Sequence, residues 1–172
     1  MKILLGAHGV GKSTLLKYVH DQLPQYYVTD GFSRPVMRIK EKEILDMEDY
    51  QMQALLNELT LWAYDNYLNF KYLISTRSIV DAIIYSEIIV PELKIYHLYE
   101  KLKETVDRVE YFFYIPVEFA IDLTDSERLD ESLQKKVDTL LISFMKEYIP
   151  IEKVVMLHGS VEQRYDKMKN YL

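Results

Sequence analysis

Lys2-Ile3-Leu4-Leu5-Gly6-Ala7-His8-Gly9-Val10-Gly11-Lys12-Ser13-Thr14 decides the fold. A short apolar run leads into a glycine-rich loop, and a helical pattern comes after it. Gly6, Gly11, Lys12 and Ser13 satisfy G-x-x-x-x-G-K-[ST]. The glycines let the backbone curl so that successive N–H groups face one anion. The helix behind the loop adds the positive end of its dipole. Lys12 is placed to reach β- and γ-phosphates, and Ser13 to offer a hydroxyl to Mg²⁺. The whole loop, Gly6, Ala7, His8, Gly9, Val10, Gly11, Lys12, Ser13 and Thr14, is therefore the expected nucleotide cradle. His8 reads first as an exposed loop residue.

Outward from this stretch, strand and helix signals alternate. The first helix starts near Lys12, carries Leu15, Leu16 and Val19 on one face, and ends before Pro24. Further strands are expected at Tyr26–Thr29, Tyr72–Ser75, Tyr111–Ile115 and Lys153–Leu157. Further helices are expected at Tyr50–Asn66, Ile79–Ile89, Pro91–Thr105, Leu133–Tyr148 and Val161–Tyr171. In Tyr50–Asn66 the spacing of Met52, Leu55, Leu56, Leu59 and Trp62 predicts the buried face. Such alternation implies an α/β fold, a five-stranded parallel sheet with helices on both faces. Lys2–Leu5 is expected to be central, flanked by the strands beginning near Tyr72 and Tyr111. Ligands of such sheets bind at the carboxyl ends of the strands.

The chain has 172 residues, which suits a single domain over 1–172. Cysteine is absent, so disulfides and cysteine zinc sites are excluded, consistent with a cytoplasmic location. There is no long apolar run and hence no expected membrane span. The first strand runs straight into the loop, so residue 1 reads as a natural start with no leader. A net charge of −6 argues against a broad nucleic-acid-binding face.

Three polar clusters come after predicted strands. After the second come Asp30 and Arg34. Asp30 suits a base for an attacking hydroxyl or a support for Mg²⁺, and Arg34 a clamp on the acceptor. An Asp-Gly turn with an exposed arginine is the plainer reading. After the third come Thr76-Arg77-Ser78, then Asp81 and Tyr85, which share a helix face. Arg77 there is either an acceptor-side group or a surface ion pair. Between the fourth strand and the next helix, Asp122 to Asp130 is a charged segment. It is either a solvated loop or a lid over the triphosphate, about 122–136, with Arg128 stabilising developing charge.

Together these motifs resemble the nucleoside and nucleotide kinase branch of P-loop proteins. More narrowly, they resemble its small AAA-type ATPase/kinase group, which includes ribosylnicotinamide kinase-like and phage nucleotide kinase-like members. The resemblance spans almost the whole chain. Thr76-Arg77-Ser78 with Asp81 and Tyr85 looks like the family's D-R-S followed by Asp and Tyr. Arg128 looks like its lid arginine. Gly159-Ser160 with Arg164 is similar to the loop that borders the adenine. The resemblance implies strand order 2-3-1-4-5 and a small lid. It implies ATP and Mg²⁺ as cofactors, and phosphoryl transfer to a nucleoside or nucleoside monophosphate in nucleotide salvage. Lys12, Asp30, Arg77 and Arg128 would be catalytic. Asp30, Arg34, Arg77, Asp81 and Tyr85 would hold the acceptor, and Ser13 and Asp30 the metal. A 5′-hydroxyl polynucleotide end as acceptor, a non-catalytic or slow-hydrolysing nucleotide switch and a homodimer stay open. One departure stands out: the family has Asp where this chain has Thr76, and that Asp helps hold Mg²⁺. Either Asp30 or Asp81 supplies the missing carboxylate, or metal binding is weaker, or the chain has lost catalysis.

Overall fold

Lys2–Leu5 (β1) lies at the centre of a five-stranded, wholly parallel sheet in this computed structural model. The structure describes residues 1–31, 35–36, 47–118 and 131–172. The other strands are Tyr27–Thr29 (β2), Leu73–Ser75 (β3), Tyr111–Tyr114 (β4) and Val154–Met156 (β5), in the order β2-β3-β1-β4-β5. Every residue of β1 is buried, as a strand covered on both faces must be. The expected order and the central first strand are both observed.

The described helices are Lys12–Gln22 (α1), Asp49–Tyr67 (α2), Ile79–Ile89 (α3), Tyr96–Arg108 (α4), Glu131–Tyr148 (α5) and Val161–Met168 (α6). They form two groups, α1 against α6, and α3 against α2, α4 and α5. One cluster of buried apolar side chains, including Ile3, Leu15, Ile74, Phe112 and Leu141, joins the helices to the sheet. No described helix is long and apolar enough to cross a membrane.

The pairing register brings the ends of β2 and β3 level. Thr29 lies opposite Ser75 there. The next N–H, that of Thr76, still donates to Thr29 O at 3.0 Å. The two chain segments therefore leave the sheet side by side, with Asp30 and Thr76 as neighbours.

One helix departs from its apolar pattern. Trp62 is 64% exposed, and the buried residues of α2 are Met52, Gln53, Asn57, Ala63 and Tyr64. Gln53 and Asn57 meet Ser86 of α3 in a closed set of hydrogen bonds. Gln53 Nε2 donates to Asn57 Oδ1 (3.0 Å) and Asn57 Nδ2 to Ser86 Oγ (2.9 Å). A mutually satisfied polar set can be buried at little cost, so the helix turns this stripe inward and leaves Trp62 outside.

Candidate active site

The glycine loop joins β1 to α1. Gly6 has φ 148°, and a Cβ there would lie 2.6 Å from Ile115 O and 2.9 Å from Val10 Cγ2. Only glycine lets the loop pass so close to the end of β4. Gly11 is the N-cap of α1 with φ 90° and no capping side chain. The first N–H groups of the helix therefore need another acceptor, and an anion suits them. Ala7 and Val10 turn their side chains into the core, so at these positions the backbone alone faces outward. Lys12 Nζ donates to Gly6 O (2.5 Å) and Ala7 O (2.8 Å), which folds its side chain back over the loop.

Ser13, Asp30 and Thr76 come from three separate segments and meet. Ser13 Oγ donates to Asp30 Oδ2 at 2.8 Å, and Thr76 Oγ1 donates to Asp30 Oδ1 at 2.6 Å. The carboxylate thus bridges the first turn of α1 and the end of β3. Thr76 itself is buried. All three groups present oxygen, which suits a hard cation such as Mg²⁺. Among the described residues no group of three or more His, Cys, Asp or Glu side chains is placed to hold a metal. A cation here would complete its shell with phosphate and water, as Mg²⁺ ordinarily does.

Arg77 leaves the same strand end. Its side chain lies against Gly31, whose φ is 77° and whose place would not admit a Cβ beside Arg77 Cγ. The guanidinium then sits 5.7 Å from the centre of the Tyr85 ring. The Arg77 carbonyl accepts from Tyr64 OH (2.8 Å) and Ser75 Oγ (2.7 Å), so this turn is held from α2 and β3. Ser78 caps α3, and Asp81 closes the cap: Asp81 N donates to Ser78 Oγ (3.1 Å) and Ser78 Oγ to Asp81 Oδ2 (2.6 Å). Asp81 is 3% exposed, so its carboxylate is turned into this cap.

Tyr85, one turn further along α3, has its hydroxyl 3.3 Å from His8 Nδ1. Burial pushes the Tyr85 hydroxyl up to about 12, with the Asp81 charge adding to the rise and Arg77 opposing it. It therefore stays protonated near neutrality. The Tyr64 hydroxyl is likewise raised well above its usual value, by burial and by Asp81.

Asp30, Arg77 and Tyr85 thus gather beside the loop, with His8 reaching across to Tyr85. Arg34 and Arg128 lie outside the described residues, as do residues 122–130 of the lid region. The rest of that region, 131–136, opens α5.

Behind the loop stands an ionic cluster. Arg164 Nη1 donates to Val10 O (2.8 Å), and its Nη2 pairs with Glu118 Oε2 (2.9 Å). Glu118 also accepts from Gly159 N (3.0 Å) and meets His158 Nδ1 (2.7 Å). Burial works to raise the Glu118 carboxyl. The hydrogen bonds from Gly159, Arg164 and His158 outweigh it and hold the group at about 2. Ser160 caps α6 in a capping box with Gln163. The Gly159 N–H and the Ser160 N–H and hydroxyl are engaged within the protein, and Arg164 serves the loop backbone.

Two further residues complete the site without belonging to any motif. Gln134 of α5 donates Nε2 to His8 O at 2.8 Å. It shares a helix face with the buried Val137 and Leu141, three and seven residues on, and that spacing is the signal that marks it. Glu118 comes after Pro116 in a connection with no periodic pattern, and nothing local marks it.

A family model described as an AAA domain matches residues 2–164. No curated protein matches the sequence. Among solved structures, the chain resembles deoxyadenosine kinase from M. mycoides with dCMP and dCDP bound. The TM-score is 0.68 at 15% identity, covering 99% of this chain and 97% of that one. The NadR protein in complex with NR gives TM-score 0.68 at 15% identity, covering 99% of this chain and 50% of that one. Thymidylate kinase from Candida albicans gives 0.61 at 14% identity, covering 98% and 88%. At these identities the likeness establishes a shared fold.

Proposed function

The chain belongs to the AAA domain family, and from that premise we propose that it transfers the γ-phosphoryl group of ATP, with Mg²⁺, to a nucleoside or nucleoside monophosphate. The observation that carries this reading is the bridge from Ser13 through Asp30 to Thr76. It puts a carboxylate between the phosphate loop and the strand end that bears Arg77. A carboxylate and an arginine that reach the loop from two other strand ends can serve a phosphoryl acceptor as well as the metal.

Each residue then has a task. The loop backbone and Lys12 hold the phosphates, and Ser13 and Asp30 hold the metal. Bound Mg²⁺ in such a site neutralises charge on the phosphate oxygens. Asp30 orients water through its carboxylate or takes the proton of the acceptor hydroxyl. Thr76 fixes Asp30 by donating to it. Arg77 and Tyr85 line the acceptor side, and Arg34 joins them in this reading. Arg128 closes from the lid and stabilises the transferred group. Asp81 enters as the residue that secures the helix carrying Tyr85. Gly159 and Ser160 border the adenine through their backbone. Positioning and electrostatics carry most phosphoryl transfer, so this set is sufficient. The kinases that share the fold support the choice of acceptor class. A cytoplasmic place in nucleotide salvage belongs to the same proposal.

Thr76 in place of an acid favours a second reading, a non-catalytic or slow-hydrolysing nucleotide switch. A transfer screen with ATP and Mg²⁺ across nucleosides, their monophosphates and a 5′-hydroxyl oligonucleotide separates the readings. Phosphorylation of a nucleoside or monophosphate supports the proposal. Product with the oligonucleotide alone, or with no acceptor, rejects it.

A further inference from the structure

Two buried side chains from outside the phosphate loop each hold one of its carbonyls. Gln134 of α5, 2% exposed, donates to His8 O at 2.8 Å. Arg164 of α6, 3% exposed, donates to Val10 O at 2.8 Å. The two carbonyls alternate along the chain, and each precedes a glycine of positive φ, Gly9 at 78° and Gly11 at 90°. In a trans peptide the carbonyl and the next N–H point in opposite directions, and no cis bond is present among the described residues. Drawing the carbonyls of residues 8 and 10 outward therefore turns the N–H groups of Gly9 and Gly11 the other way. Glycine is the residue least able to hold such an orientation unaided.

We infer that Gln134 and Arg164 are positioning residues that aim the Gly9 and Gly11 N–H groups at the β- and γ-phosphates of the bound nucleotide. The inference rests on reading the loop as a triphosphate cradle. Neither side chain has to touch the nucleotide. Their contribution is preorganisation, since a loop already held in its binding geometry loses less freedom when the ligand arrives. The two holds come from different helices. Arg164 is fixed by Glu118 at 2.9 Å. Gln134 sits in the first turn of α5, within residues 131–136, and joins that helix to the loop. His8 also meets Tyr85 of α3, so residue 8 is the place where two helices of one packed group, α3 and α5, reach the loop.

Gln134 is the cleaner residue to change, because α5 is secured independently. Tyr114 OH donates to Asp138 Oδ1 at 2.7 Å, and Val137 and Leu141 are fully buried. Gln134→Met keeps the length and removes the donor. ATP and ADP affinity should fall about five- to tenfold, the scale of one neutral hydrogen bond. AMP affinity should change by less than about twofold. Gln134→Glu, which turns an acceptor toward His8 O, should lose at least as much. Parent-like ATP binding by Gln134→Met, or equal losses for ATP and AMP, overturns the inference. The chain has only five glycines, so glycine-selective ¹⁵N labelling resolves the loop in the parent itself, whatever the variants do. The Gly9 and Gly11 amides should shift when ATP is added, and their failure to shift while ATP binds overturns the positioning role alone. A parent that binds no ATP defeats the triphosphate reading beneath it.

Discussion

Replacing Thr76 by Asp puts a second acid beside Asp30, and the structure states what that costs. Thr76 Oγ1 donates to Asp30 Oδ1 at 2.6 Å. The variant loses that charge-assisted hydrogen bond, worth about 1.5–3 kcal/mol. It also sets two carboxylates close together. At about 4 Å their repulsion is about 1 kcal/mol in water and about 4 kcal/mol at the effective dielectric of a protein surface. The pair can relieve part of this by sharing a proton, so the penalty is largest well above the carboxylate range. Without divalent cation, Thr76→Asp should be about 2.5–7 kcal/mol less stable near neutral pH. For a chain of this length that lowers Tm by about 5–28 °C. Mg²⁺ with ATP should restore most of the loss, because a cation between two carboxylates removes the repulsion. Thermal unfolding with and without Mg²⁺-ATP measures both halves. A Tm unchanged by the substitution would show that Thr76 and Asp30 are not coupled. A lowered Tm that Mg²⁺-ATP does not recover would show that no cation binds between them.

Other substitutions separate the roles of single groups. Lys12→Ala should abolish transfer while leaving the fold intact; a rate within about tenfold of the parent, or about 1.4 kcal/mol of barrier, contradicts the use assigned to the loop. Asp30→Asn should lose about 10²-fold or more of the Mg²⁺-dependent rate. Asp81→Asn should instead cost about 1 kcal/mol of stability through the α3 cap and leave the Mg²⁺ titration unshifted; the reverse pattern would exchange their assignments. The Glu118 carboxyl, held at about 2 in the folded chain against an ordinary 4.5, contributes stability that is complete above about pH 4.5. That contribution is lost as the pH falls from about 4.5 toward 2, so the parent's Tm should drop more steeply over that window than that of Glu118→Gln, and parallel curves would contradict it.

Local chemistry made the sheet and the loop legible. The apolar runs at Lys2–Leu5 and Tyr111–Ile115, the glycines at 6 and 11 and the prolines that end elements all act within a few residues. The nearness of Asp30 to Thr76 was legible too, because both come after strands expected to lie side by side. Polar residues that are satisfied only in three dimensions were not. Gln53 and Asn57 look like a solvated face until Ser86 is brought against them, and so Trp62, spaced for burial, faces outward. Arg164 resembles a nucleotide-side arginine by position, and only the folded chain shows it behind the loop with Glu118. Asp81 shares a face with Tyr85 as expected, yet its carboxylate turns to the Ser78 hydroxyl that begins the same helix.

The central claim is that this site moves a phosphoryl group onto an acceptor rather than onto water. The most direct measurement uses ATP labelled at the γ-phosphate, with Mg²⁺ and each nucleoside and nucleoside monophosphate in turn, and tracks the label. The account predicts that ATP consumption depends on the acceptor, with label in a new nucleotide product and little in free phosphate. Label released only as inorganic phosphate, at a rate no acceptor changes, would contradict it.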